Sequence, residues 1–233
     1  MITDLQPYLA ETSIINFRHP AITTVATDLM QHYPDDITRA KAAFEFVRDK
    51  VSHSFDINAE TVTCIASDVL EAGHGICYAK SHLLTAILRA MGIPAGISYQ
   101  RQVFIGEGAE SKMCLHALNA AYLAPVNRFI RFDARGNKPG VNAQFSLEKE
   151  QLAFPLNEQL GEKDYPEIYA EPLPNIIDAL KNSKDCTVLR GRLPEDYCMT
   201  ILTTSRCTLR PFTEEDAVNI ISILGSEAVM RFL

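Results

Sequence analysis

Cys77, His116 and Asp133 are the residues through which this sequence could do chemistry. Cys77 follows Gly73-His74-Gly75-Ile76, and beyond it Ala79, Leu83, Leu84, Ile87, Leu88 and Met91 recur at offsets of three and four. That period predicts an amphipathic helix opening at or beside the cysteine. Gly92 suits its C′ position and Pro94 blocks continuation. The two glycines predict a flexible turn ahead of the helix. A thiol in a first helical turn faces unpaired N–H groups and the positive end of the macrodipole, which favour thiolate. A thiolate nucleophile needs a base, and the base needs an orienting group. His116 falls on a predicted strand and Asp133 at the end of the next, so the imidazole and the carboxylate can lie side by side. The backbone N–H of Cys77 would then be an oxyanion donor.

The elements that must position these groups follow from periodicity and punctuation. A short helix is expected over Ile22 to Met30. A second begins at Pro34-Asp35-Asp36 and carries the stripe Ile37, Ala40, Phe44, Val47 and Val51. Ser67 to Glu71 reads as a short helical or turn segment. After the cysteine helix, Ala95 to Ile105, Met113 to Leu123 and Arg128 to Asp133 read as three strands of an antiparallel meander. Gly106 to Ser111 is a turn, Gly161 to Pro174 is irregular, and Ile176 to Lys184 is helical. Thr208 to Phe212 is strand-like, and Thr213-Glu214-Glu215-Asp216 resembles a capping box before the stripe Ala217, Ile220, Ile221 and Leu224.

The chain has 233 residues, 47% hydrophobic and 22% charged, with a formal net charge of −7. This is ordinary globular composition, and the charge argues against nucleic acid or a polybasic membrane patch as partner. The N-terminus lacks the basic and apolar regions of a signal peptide, and no apolar run reaches membrane-span length. Six scattered cysteines without a C-x-x-C pair point to reduced thiols and a cytoplasmic setting, most of them small buried residues. No cofactor is expected. A competing reading takes His74, Cys77, Cys114 and His116 as four ligands of a structural zinc.

The words Val69 to Cys77, Leu83-Leu84, Leu88-Arg89-Ala90-Met91-Gly92-Ile93-Pro94-Ala95, Leu115-His116-Ala117 and Phe132-Asp133 resemble the transglutaminase-like superfamily over roughly Ala40 to Asp133. The resemblance implies an α+β, papain-like core with a nucleophile helix packed on an antiparallel sheet, and a Cys77-His116-Asp133 triad. It departs from animal transglutaminases: Gly75-Ile76-Cys77-Tyr78 stands where they have G-Q-C-W, and Leu118-Asn119-Ala120 follows His116. These departures weigh against protein cross-linking more than against thiol chemistry. The expected activity is attack on an amide of a peptide, protein or small molecule, a thioester, and hydrolysis. Transfer to an amine, or an inactive binding domain, are the alternatives. Residues 1–203 form the expected main domain. Residues 204–233 resemble the first strand and helix of a GNAT-type acetyltransferase without its acetyl-CoA loop, and their apolar edge offers a surface for self-association.

Overall fold

A computed structural model describes residues 4–104 and 112–197 together with the short segments 202–203 and 208–209. Two compact units divide it, residues 1–197 and 198–233. The first holds everything that positions the candidate site.

Three helices precede the cysteine. α1 (Pro20–His32) has proline in its first turn, where no N–H is needed. α2 (Asp36–Lys50) is capped by Asp35, whose side chain accepts from the N–H groups of Ile37 and Thr38, both at 3.0 Å. A two-residue strand, β1 (Ser52–His53), follows, and then α3 (Ala66–Ala72). Gly73 ends α3 in the left-handed region, at φ +68°, which a side chain rarely adopts. β2 (His74–Gly75) then runs parallel to β1, with Ser52 opposite His74 and His53 opposite Gly75.

The expected flexible turn is therefore a docked one. A Cβ on Gly75 would lie 3.0 Å from Ala79 Cβ and 3.2 Å from both Thr63 Oγ1 and Val69 Cγ1. Gly75→Ala is expected to destabilise the fold by about 1–3 kcal/mol, because three walls would have to give. At this chain length that is a loss of roughly 2–4 °C in Tm per kcal/mol. An unchanged melting curve would contradict the tight packing.

α4 (Cys77–Ala90) is the central element. Its predicted amphipathic character is not what the fold uses, because every residue from Tyr78 to Arg89 is buried. α1, α2 and α3 cover one side, and the sheet covers the other. The polar residues of α4 act as internal struts. Arg89 donates to the carbonyls of Ala95, Ala10 and Ala170. Thr85 Oγ1 accepts from Asn119 Nδ2, which also donates to Ser81 O, each at 2.9 Å. Buried polar groups of this kind are tolerable only when paired.

The sheet runs β5-β4-β3-β6, all antiparallel. It is built from β3 (Ala95–Phe104), β4 (Lys112–Leu123), β5 (Arg128–Phe132) and β6 (Lys163–Asp164). The three long strands match the meander read from sequence, and the fold is the expected α+β one. β6 comes from the stretch expected to be irregular: two residues of it pair with Gln100 and Arg101, and Tyr169 forms a bridge to Ile97. α5 (Pro174–Lys181) is shorter than expected, and α6 (Cys186–Gly191) was not foreseen. Asp185 caps α6 by accepting from Val188 N at 2.7 Å.

In the second unit the description is confined to β7 (Leu202–Thr203) and β8 (Thr208–Leu209), an antiparallel pair. The helix expected after Thr213 and the tail to Leu233 lie outside the described residues, as does the expected turn Gly106 to Ser111. Among the described residues, no helix is long and apolar enough to cross a membrane.

Candidate active site

Cys77 is the first residue of α4, and no side chain caps that end, so the opening N–H groups keep their donor capacity. The thiol is half-buried and lines a cleft of about 530 Å³. Tyr78 fixes the helix start: its hydroxyl, fully buried, donates to Leu115 O on β4 at 2.6 Å. The next residue, His116, opens onto the same cleft as Cys77.

Asp133 stands one residue past β5. Continuing the β4–β5 register by one step sets it opposite Leu118, on the face that also carries His116 two residues away. The His116 Nε2–H donates to Asp133 Oδ2 at 2.7 Å. An ionised carboxylate only accepts, so the proton sits on Nε2 and Nδ1 is the nitrogen left for the thiol. Asp133 has further fixed donors: Ala153 N–H reaches Oδ2 at 3.1 Å and Arg135 N–H reaches Oδ1 at 3.0 Å. Phe154 meets the imidazole edge-on, its centroid 5.4 Å away, and walls that side.

Both members of the pair are pushed toward their charged forms. Burial disfavours the His116 imidazolium, but the charges of Asp133 and Cys77 outweigh it and push the ring up to about 10. Burial would raise Asp133, yet His116 and the two backbone N–H groups hold its carboxyl below the ordinary range.

Sequence reasoning missed the framework behind this pair. Lys80, one helical turn from Cys77, is buried with its ammonium donating to Val51 O and to Arg135 O, the latter at 3.0 Å. It ties α4 to the end of α2 and to the loop that carries Asp133. Burial, with Arg135 nearby, pushes its amine down to about 7. Arg135 forks onto the Asp56 carboxylate, which also accepts from Lys138 Nζ at 2.7 Å. Burial would raise Asp56, but these two cations hold it well below the usual carboxylate range. The one signal in the sequence was Lys80 itself, a charged residue inside a helix with few solvent-facing positions.

The zinc reading does not survive the placement of His74. Its Nδ1 meets Ser54 Oγ at 3.0 Å and its Nε2 meets Thr61 Oγ1 at 3.1 Å, so both nitrogens are engaged away from Cys77. Among the described residues no three His, Cys, Asp or Glu side chains converge as a metal site would require. His82 is also turned away, its Nδ1 2.7 Å from Cys64 O inside the core. Cys64, Cys114 and Cys186 are buried free thiols, while Cys198 and Cys207 lie outside the described residues.

Residues 23–134, just under half of the chain, match the family model described as the transglutaminase-like superfamily. The match begins earlier than the sequence resemblance indicated and takes in most of α1 and all of α2. Among solved structures, the chain is similar to a "Putative Cysteine Protease" from Cytophaga hutchinsonii. There the identity is 21% over 58% of this chain and 43% of that one, with a TM-score of 0.46. It is also similar to the periplasmic domain of TgpA from Pseudomonas aeruginosa, at 15% identity over 57% and 48% of the two chains and a TM-score of 0.43. The chain thus spans less than half the length of each of these proteins. No curated protein matches it.

Proposed function

We propose that this chain is a cysteine-dependent acyl-transfer enzyme acting on amides, with Cys77 as nucleophile, His116 as general base and acid, and Asp133 as the group that orients His116. The observation that carries this reading is the opening of one cleft onto both the uncapped start of α4, where Cys77 sits, and His116 in its 2.7 Å pair with Asp133. In the first step Cys77 Sγ attacks the carbonyl carbon, and the charge on oxygen meets the Cys77 N–H. The C–N bond breaks, His116 gives its proton to the departing amine, and an acyl thioester remains. His116 then takes a proton from water as it attacks, the C–S bond breaks, and a carboxylic acid leaves. Water is the proposed acceptor, since no amine-binding site is identified among the described residues of the cleft.

Iodoacetamide at pH 5.5 tests the pair directly. A free thiol is almost wholly protonated there, so Cys77 should alkylate at least tenfold faster than a free cysteine peptide and lose that advantage in His116→Ala. Labelling at the free-thiol rate would instead favour a binding domain. Mass spectrometry of Cys77 after incubation with a peptide-amide library should reveal the acyl thioester and its loss to water or to an added amine.

A further inference from the structure

The cleft wall holds five charged groups besides His116, and four of them are already satisfied. Asp56 is shared by Arg135 and Lys138. Glu162 uses one oxygen to accept from Val103 N at 2.8 Å and the other to accept from Asn157 N at 2.7 Å. The fifth is Arg190, whose guanidinium has no carboxylate partner among the described residues.

Arg190 is nevertheless held in place. It is the fifth residue of α6, which Asp185 caps, and the same helix is tied to the loop before α3 by Cys186 N donating to Glu60 O at 2.9 Å. Its guanidinium carbon lies 4.7 Å from the centroid of Phe55, another wall residue. A guanidinium held over a ring by cation–π attraction spends no N–H on a hydrogen bond there, so its N–H edge remains for an acceptor. A planar two-oxygen anion is the ligand that best fills that edge. The chain as a whole is acidic, at −7, so a cation without a carboxylate partner among the described residues, on the wall of the cleft that Cys77 lines, is not explained by overall composition.

We infer that Arg190 forms a carboxylate-binding subsite, and that the acyl substrate carries an acidic group on the part that occupies the cleft. This rests on the acyl-transfer reading of Cys77. The predicted substrates are amides or peptides with an acidic residue or free carboxylate beside the attacked bond.

Two haloacetyl reagents that differ only in charge test it, bromoacetyl-glycine and bromoacetyl-glycinamide. In both, Cys77 Sγ displaces bromide and forms an S–C bond, and the mass of the Cys77 peptide gives the rate. With rates normalised to a free cysteine peptide, the native protein should prefer the carboxylate reagent by about tenfold, the scale of one charge-assisted pair. Arg190→Gln should abolish most of that preference, and Arg190→Lys should restore part of it. An equal preference in native protein and Arg190→Gln overturns the subsite, because the bias would then come from the other cationic groups of the cleft, His116, Arg135 and Lys138. If neither reagent labels Cys77 faster than the peptide, the acyl-transfer reading falls and the subsite with it, a result distinct from unbiased labelling.

Discussion

Replacing Asp133 with Asn is expected to slow acylation of Cys77 by about 10³–10⁴-fold, the scale seen when the carboxylate of a serine-protease triad is so changed. The reason lies in the donor count. Three N–H groups converge on two oxygens: His116 and Ala153 on Oδ2, and Arg135 on Oδ1. An amide has one acceptor oxygen and one NH₂, so whichever way it flips, an NH₂ points at a backbone donor or at His116. If it faces His116, the ring must turn its lone pair to Nε2, and its proton moves to the Nδ1 side where a base is needed. If it faces Arg135, that buried N–H loses its acceptor at a cost of about 1–3 kcal/mol. Single-turnover release of p-nitrophenol from an activated ester gives the acylation rate, and a melting curve separates lost chemistry from lost fold. Because Asp133 acts through the ring, Asp133→Asn should add little to His116→Ala. Multiplying effects in the double variant, or a loss under tenfold in the single one, would remove Asp133 from this role.

The arrangement was partly legible before any coordinates. Cys77 could be placed because Gly92 and Pro94 bound a helix whose periodic residues begin beside the cysteine. The three strands could be placed because Ala95 to Asp133 alternates between β-formers and turn residues. With helix and strands in order, His116 and Asp133 can lie side by side, while the register that makes them diagonal neighbours is a property of the fold. What could not be read is anything that depends on which other segment arrives. The Asp133 loop is fixed by Ala153 N, twenty residues on, and the Lys80 ammonium is buried against carbonyls of Val51 and Arg135. Periodicity says nothing of Lys80, Ser81, Thr85 and Arg89 because it counts only apolar residues, and it has no means of knowing that the sheet and three helices enclose the helix. The same blindness made Gly73 to Gly75 look flexible. The strand pairing that holds them belongs to Ser52 and His53, in a stretch that reads as a loop.

Lys80 and His116 should give the stability of this protein an unusual pH dependence, visible only when one of them is removed. His116 is pushed up to about 10 in the folded chain, against 6.5 for a free imidazole. Folding therefore takes up a proton there, and the stabilisation is complete below pH 6.5 and lost as pH rises through 10. Lys80 is pushed down to about 7, against 10.5. Folding there releases a proton, so its contribution grows from pH 7 toward 10.5. The two slopes oppose each other across one window, each on the order of 1 kcal/mol per pH unit at most. Urea midpoints of the native protein should therefore stay nearly level from pH 7 to 9.5. His116→Gln leaves Lys80 uncompensated, and its midpoint should rise with pH. Lys80→Met leaves His116 uncompensated, and its midpoint should fall. Level profiles in both variants would mean that neither group is perturbed as its surroundings require. Lys80→Met carries a second consequence, because the Val51 and Arg135 carbonyls lose their donor at about 1–3 kcal/mol each, offset by no longer burying an amine. The Arg135 carbonyl belongs to the loop that bears Asp133, so the variant should also slow acylation at Cys77 while leaving the His116–Asp133 pair chemically complete. Slower acylation together with a falling midpoint is the signature of a lysine that holds the site in register from behind.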